Sequence, residues 1–219
     1  MEPFRTAAPL AGLIEPYLDA KVLRDAAKLG GESARTAFAR LWLSEGIPFA
    51  FRECPGLYES VRSWVSLRLD VHAKEIGLAG SARLGSSLAP SKLCKPYDTS
   101  SDFDFFIVSG SLFEKVKEEF VNWSLDFESG RISPQNSRES GFWQDNFRRG
   151  PQLILRGFLD QKMVPNLPPY TTTKRISEAM WLLVEKLKLT KGAPAPCKAS
   201  IRCYSTWDSF IRQNVLSLS

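Results

Sequence analysis

The sequence predicts an α+β fold in which a few short strands are flanked by amphipathic helices. Segments 17–28, 32–43, 56–70, 111–123 and 171–191 place apolar residues three and four apart, the period of a helix with one buried face. Between them lie short runs suited to strands: EIGLAG (75–80), DFDFFIVS (102–109), PQLILRGFLDQKMVP (151–165) and the start of ASIRCYSTWDSF (199–210). With 219 residues and a hydrophobic share of 43%, the chain holds enough apolar surface for one substantial core.

Residues 1–45 read as a helical hairpin, with Tyr17–Lys28 and Glu32–Leu43 separated by Gly30-Gly31. GIPFAFRECP (46–55) is a Gly- and Pro-bounded connector, and Gly56–Asp70 a helix with Leu57, Val61, Trp64, Val65 and Leu69 on its inner face. His72 follows and reads as a surface or satisfied core residue. EIGLAG is a short strand that delivers Gly80-Ser81 to the start of a helix, which the serine is placed to cap. An inserted loop spans about 90–100, and DFDFFIVS is a strand of aromatic and β-branched residues. Ser111–Trp123 reads as a helix with Leu112, Val116, Phe120 and Trp123 inward. Polar, non-periodic Glu128–Asn146 reads as a long loop or short irregular helices. Residues 151–165 read as a second strand, bent at Gly157. After a Pro-rich link, 171–191 reads as a helix capped by a threonine, with Ile176, Met180, Leu183, Val184 and Leu187 buried. ASIRCYSTWDSF and IRQNVLSL (211–218) then close the domain as a short strand and a terminal helix. The regions are therefore 1–70, 71–170 and 171–219, together one compact unit.

The chemistry concentrates between Gly80 and Ser109, GSARLGSSLAPSKLCKPYDTSSDFDFFIVS. Strand alternation projects Asp102 and Asp104 on one face and Phe103, Phe105 and Ile107 on the other. Two carboxylates a strand-pitch apart on an apolar strand are costly unless a cation neutralises them. Such an oxygen pair suits Mg²⁺, which takes one or two carboxylates plus substrate phosphates. Gly80-Ser81 offers backbone N–H groups and a hydroxyl of the kind that hold phosphates. Gly85-Ser86 repeats the small pair five residues later.

Gly-Ser followed by acid–hydrophobic–acid on a strand resembles the DNA polymerase beta-like nucleotidyltransferase superfamily. GSARLGSS with SSDFDFF is most similar to the branch holding poly(A) polymerases, oligoadenylate synthases and bacterial antiphage nucleotidyltransferases. The resemblance covers roughly residues 75–110, with a gap between the two halves longer than in minimal members. It implies a palm-like mixed sheet flanked by helices, with 71–170 as the catalytic core. It further implies Mg²⁺ or Mn²⁺ at Asp102 and Asp104, and an NTP or dNTP, ATP included, held by Gly80 and Ser81. Ser86 is a further candidate contact, and Arg83 reads equally as a substrate contact or a solvent-facing residue. A third carboxylate is expected on a strand beside the doublet. Asp160 is the only acid between Asp145 and Glu178 and is the first candidate, with Asp126 and Glu128 as fallbacks. A lysine on the helix after the palm would grip the triphosphate, which points to Lys186 or Lys188; both equally suit the negative end of their helix dipole.

The implied reaction is transfer of a nucleoside monophosphate to a hydroxyl, making an oligonucleotide or nucleotide signal in antiphage defence. A toxin modifying tRNA or protein, or a degenerate binding or antitoxin module, would share the motif, and a cognate effector or activator protein fits either. Residues 148–212 carry twelve Lys and Arg against four Asp and Glu, whereas 1–147 carry seventeen against twenty. The excess positive charge thus follows the acidic strand, where a polyphosphate or nucleic acid would complement it. No window approaches eighteen consecutive apolar residues, which excludes a membrane span, and MEPFRTAAPL lacks a signal-peptide pattern. Cys54, Cys94, Cys197 and Cys203 are irregularly spaced beside a single histidine, so reduced thiols in a cytoplasmic protein are expected rather than a zinc site.

Overall fold

The computed structural model describes residues 6–218; the first half of MEPFRTAAPL, where the absence of a signal peptide was read, lies outside them, as does Ser219. Among the described residues the fold is α+β, with eight α-helices around a four-stranded open mixed sheet. The strands are β1 (Ile76–Ala79), β2 (Phe103–Val108), β3 (Phe158–Asp160) and β4 (Ala199–Tyr204). Their order is β1-β2-β4-β3: β1 runs antiparallel to β2, β2 parallel to β4, and β3 antiparallel to β4. The last strand among the described residues therefore occupies the middle of the sheet. Among the described residues no helix is long and apolar enough to cross a membrane, and all four cysteines are free thiols.

The N-terminal hairpin is α1 (Ala20–Leu29) and α2 (Gly31–Leu41), and the Asp19 side chain caps α1 by accepting from the N–H groups of Lys21 and Val22. Leu23, Ala27, Ala34 and Phe38 from this pair join Leu84 and Leu218 in a small satellite core. The main core draws on α3 (Pro55–Leu69), α5 (Gly110–Glu128) and α7 (Thr171–Lys188) together with all four strands. The expected inner residues of α7, Ile176, Met180, Leu183, Val184 and Leu187, are buried. Alternation along β2 buries Phe103, Phe105 and Ile107 while Asp104 stays exposed. Phe106 shares the face of Asp104, where Phe210 of α8 (Trp207–Ser217) packs on it with ring centroids 4.4 Å apart.

Three expectations are corrected. Residues 137–155, read as loop followed by strand, form the helix α6 (Ser137–Leu155), despite Pro151 inside it. Few of its residues are buried, chiefly Trp143 and Leu153, so it shows no wide apolar stripe to read. The second strand accordingly shrinks to three residues, and Gly157 (φ 78°) makes the left-handed break between α6 and β3. Finally, α7 takes its cap not from a threonine but from α5: the Glu119 carboxylate accepts from the N–H groups of Thr172 and Thr173 at 2.6 and 2.8 Å.

Candidate active site

The acidic strand and the Gly-Ser turn meet because β1 and β2 are antiparallel neighbours. In register, Ala79 faces Asp104, so Gly80 leaves the sheet directly beside that carboxylate. Gly80 has φ 66°, a conformation in which any Cβ is strained. A Cβ built there would stand 3.7 Å from Asp104 Oδ2, so the turn brings bare backbone next to the acid. Ser81 lies in the five-residue helix α4 (Gly80–Leu84), which has Ala79 rather than a serine at its N-cap. The Ser81 hydroxyl makes no hydrogen bond among the described residues, so it is not the cap expected of it.

β4 completes the site from the other side of β2. Ser200 is the register partner of Asp104, and its hydroxyl donates to Asp104 Oδ1 at 2.8 Å. Two residues on, Arg202 faces Asp160 of β3 and donates from Nε and Nη2 at 2.7 and 3.1 Å. Burial works to lower the Arg202 pKa, but the hydrogen bond and charge of Asp160 outweigh it and raise it, so the guanidinium is held positive. Asp160 is therefore not on the strand beside β2: β4 intervenes, and the carboxylate is engaged by an arginine. Among the described residues, no three His, Cys, Asp or Glu side chains gather closely enough to hold a metal ion.

Gly80, Asp104, Asp160, Ser200, Arg202 and Asn214 line one cavity of about 260 Å³. It opens on both sides. Toward the N-terminal hairpin it adjoins a space of about 400 Å³ that shares Gly80, Arg202 and Asn214 and is walled by Leu43, Leu84, Leu88 and Leu218. Toward α6 it adjoins a groove of about 620 Å³ that shares Asp160 and Ser200 and is bordered by Phe142, Arg149 and Lys162. The whole forms a cleft, apolar on one flank and polar with exposed cations on the other, with Asp104 between them.

The remaining expected residues do not line the 260 Å³ cavity, although Arg83 borders the adjoining apolar space. Asp102 is exposed and stands one residue before β2. Arg83 is 5% exposed, and its Nε and Nη1 donate to the carbonyl oxygens of Trp42 and Gly46 at 2.9 and 2.8 Å. Burial pulls its pKa below the ordinary arginine value. Ser86 is half-buried and pairs through its backbone with Pro96 at the base of the inserted loop. In the last turn of α7, Lys186 lies over the Trp64 ring and Lys188 pairs with Glu185 at 2.7 Å. The fallback acids belong to α5: Asp126 accepts from the Tyr170 hydroxyl at 2.9 Å and pairs with Arg131, and Glu128 is exposed at the helix end. Of the basic surplus, Arg149, Lys162 and Arg202 border the cleft.

Ser200, Arg202 and Asn214 are the site residues that sequence reasoning missed. The first two had a signal, since in ASIRCY they alternate with Ile201 and Cys203 and so form the polar face of a half-buried strand. Compared with models of protein families, with curated proteins and with solved structures, the chain matches none.

Proposed function

We propose that the chain is a metal-dependent nucleotidyltransferase that moves a nucleoside monophosphate from an NTP or dNTP to a hydroxyl acceptor. The observation that carries the reading is the placement of Gly80, in a left-handed conformation, beside Asp104 on the neighbouring strand. Residues 24 positions apart (80 and 104) thereby put free backbone next to a carboxylate at the mouth of one cavity.

The donor set fits a divalent cation that arrives with its substrate. Asp104 supplies one of the one or two carboxylates that Mg²⁺ takes from protein, Asp102 just before the strand would be the second, and phosphate oxygens and water would complete the shell. Bound there, Mg²⁺ or Mn²⁺ would offset the triphosphate charge and acidify the attacking hydroxyl. Gly80 lets the phosphates approach the chain, and the free Ser81 hydroxyl stands ready to donate to them. Ser200 holds Asp104 in orientation, and Arg202 sets a fixed positive charge against the anion. The acceptor oxygen forms its bond to the α-phosphorus, pyrophosphate leaves, and the hydroxyl proton goes to solvent. Phe142, Arg149 and Lys162 favour a nucleotide or oligonucleotide acceptor, since a ring face with cations suits bases and phosphates. Such a product would serve as an oligonucleotide or nucleotide signal, and antiphage defence is the role we assign to it.

Incubation with each labelled NTP and dNTP, with Mg²⁺ or Mn²⁺, tests this: a metal-dependent product is expected from the wild type and none from Asp104→Asn. A product undiminished in that variant would overturn the site. The Asp160–Arg202 pair favours one second reading, a nucleotide-binding module without turnover, because it occupies the carboxylate that a third metal ligand would supply. Nucleotide binding without any product, acceptors included, would select it.

A further inference from the structure

A second cavity, of about 580 Å³, lies between α2, α3 and the start of α8. Phe106 touches both this cavity and the acidic one, and its ring, packed on Phe210, stands between them. The size is that of a small-molecule site. Its lining is unlike that of the acidic cleft: Arg40, Arg62 and Lys74 line it, and Glu45 is the one carboxylate among the lining residues. Arg40 and Lys74 are exposed and have no ion-pair partner among the described residues. Arg62 is held in place, one nitrogen paired with Glu59 and the guanidinium over the Tyr58 ring, yet its buried Nε has no acceptor. Two unpaired cations and a third that lines the same cavity against a single lining carboxylate mark where an anion belongs. The Trp207 indole, 42% exposed, supplies an aromatic wall at the same cavity.

We propose that this cavity binds a phosphorylated ligand carrying an aromatic ring, the chemistry of a nucleotide, at a site separate from the Asp104 cleft. The phosphates meet the exposed Arg40 and Lys74 with the Arg62 guanidinium adding charge beside them, and the ring stacks on Trp207. The inference needs no metal and does not rest on the transferase reading. Calorimetric titration with ATP and with inorganic tripolyphosphate, both in EDTA, tests it on the wild type, Arg40→Gln/Lys74→Gln and Asp104→Ala. Both substituted cations are exposed, so the double variant is expected to melt with the wild type. The expected result is ATP affinity at least tenfold above that of tripolyphosphate, lowered tenfold or more in the double variant and unchanged in Asp104→Ala. Equal affinity for the two anions, retention in the double variant, loss in Asp104→Ala, or no binding at millimolar ATP would each overturn it.

Discussion

Arg83 ties the chain after α2 to the turn that follows β1, because its buried guanidinium donates to the carbonyl oxygens of Trp42 and Gly46. Hydrogen bonds from a charged donor contribute about 1.5–3 kcal/mol each, and their loss leaves buried acceptors unpaired. Arg83→Met is therefore expected to lower unfolding stability by about 2 kcal/mol or more in urea titration. The same variant, folded, should bind nucleotide with unchanged affinity, which separates a structural arginine from a phosphate ligand. Nothing in GSARLG distinguishes these roles, since the partners lie 41 and 37 residues away along the chain. Asp160 raises the opposite question. If its main work is to hold Arg202, Asp160→Asn slows turnover yet leaves it measurable, whereas Asp104→Asn abolishes it; kcat for the two variants decides. Gly80→Ala acts through backbone strain at φ 66° and is expected to cost about 1 kcal/mol, read from the shift in urea midpoint.

Among the elements, α7 depends on a neighbour for its first turn. Glu119 of α5 accepts from two of its orphan N–H groups and from the Thr173 hydroxyl. Glu119→Ala should destabilise the protein by about 1–2 kcal/mol, as loss of a cap does, and thermal melting measures it. A cap donated by another helix has no local sequence signature, which is why a threonine was expected there. In α6, Gly150 sits under the Phe120 ring of α5, which a Cβ would strike. Gly150→Ala is expected to destabilise by about 1–3 kcal/mol even though alanine is the better helix former, because overpacking outweighs propensity. This helix was hidden in the sequence by Gly141, Gly150, Pro151 and a polar surface. By contrast β1, β2 and α3 were legible to within about two residues, since strand alternation or a helical stripe faced a core in each. The position of β4 was not legible, because strand order is set by long-range packing rather than by local pattern.

The whole molecule buries its central strand deeply enough to shift a thiol. Desolvation pushes the Cys203 pKa from 9.0 up to about 12. Above pH about 9 the unfolded chain releases this proton while the folded chain keeps it, so stability falls as pH rises toward 12. The slope for one such group approaches about 1.4 kcal/mol per pH unit. Burial likewise lifts Tyr97 from 10.0 to about 12, which adds to the fall above pH 10. Urea unfolding from pH 8 to 11 should show the decline, and Cys203→Ala should make it shallower between pH 9 and 10.

At the same scale, the candidate cleft draws Gly80 from the turn after β1, Asp104 from β2, Asp160 from β3 and Ser200 and Arg202 from β4. Gly80 and Asp104 were legible as motif residues and Asp160 as the one acid in its stretch. The β4 pair was legible only as the polar face of a strand, and its place beside Asp104 came from tertiary pairing. The central claim is that Asp104 beside Gly80 holds a divalent cation together with nucleotide phosphates. The measurement that tests it most directly is electron paramagnetic resonance of Mn²⁺ bound with a non-hydrolysable ATP analogue, since it needs no knowledge of the acceptor. It is best made in the Arg40→Gln/Lys74→Gln background, so that the second cavity does not contribute. The account predicts one tightly held Mn²⁺ that appears only with nucleotide and is lost in Asp104→Asn. An equal Mn²⁺ signal in Asp104→Asn, or none with any nucleotide, would contradict it.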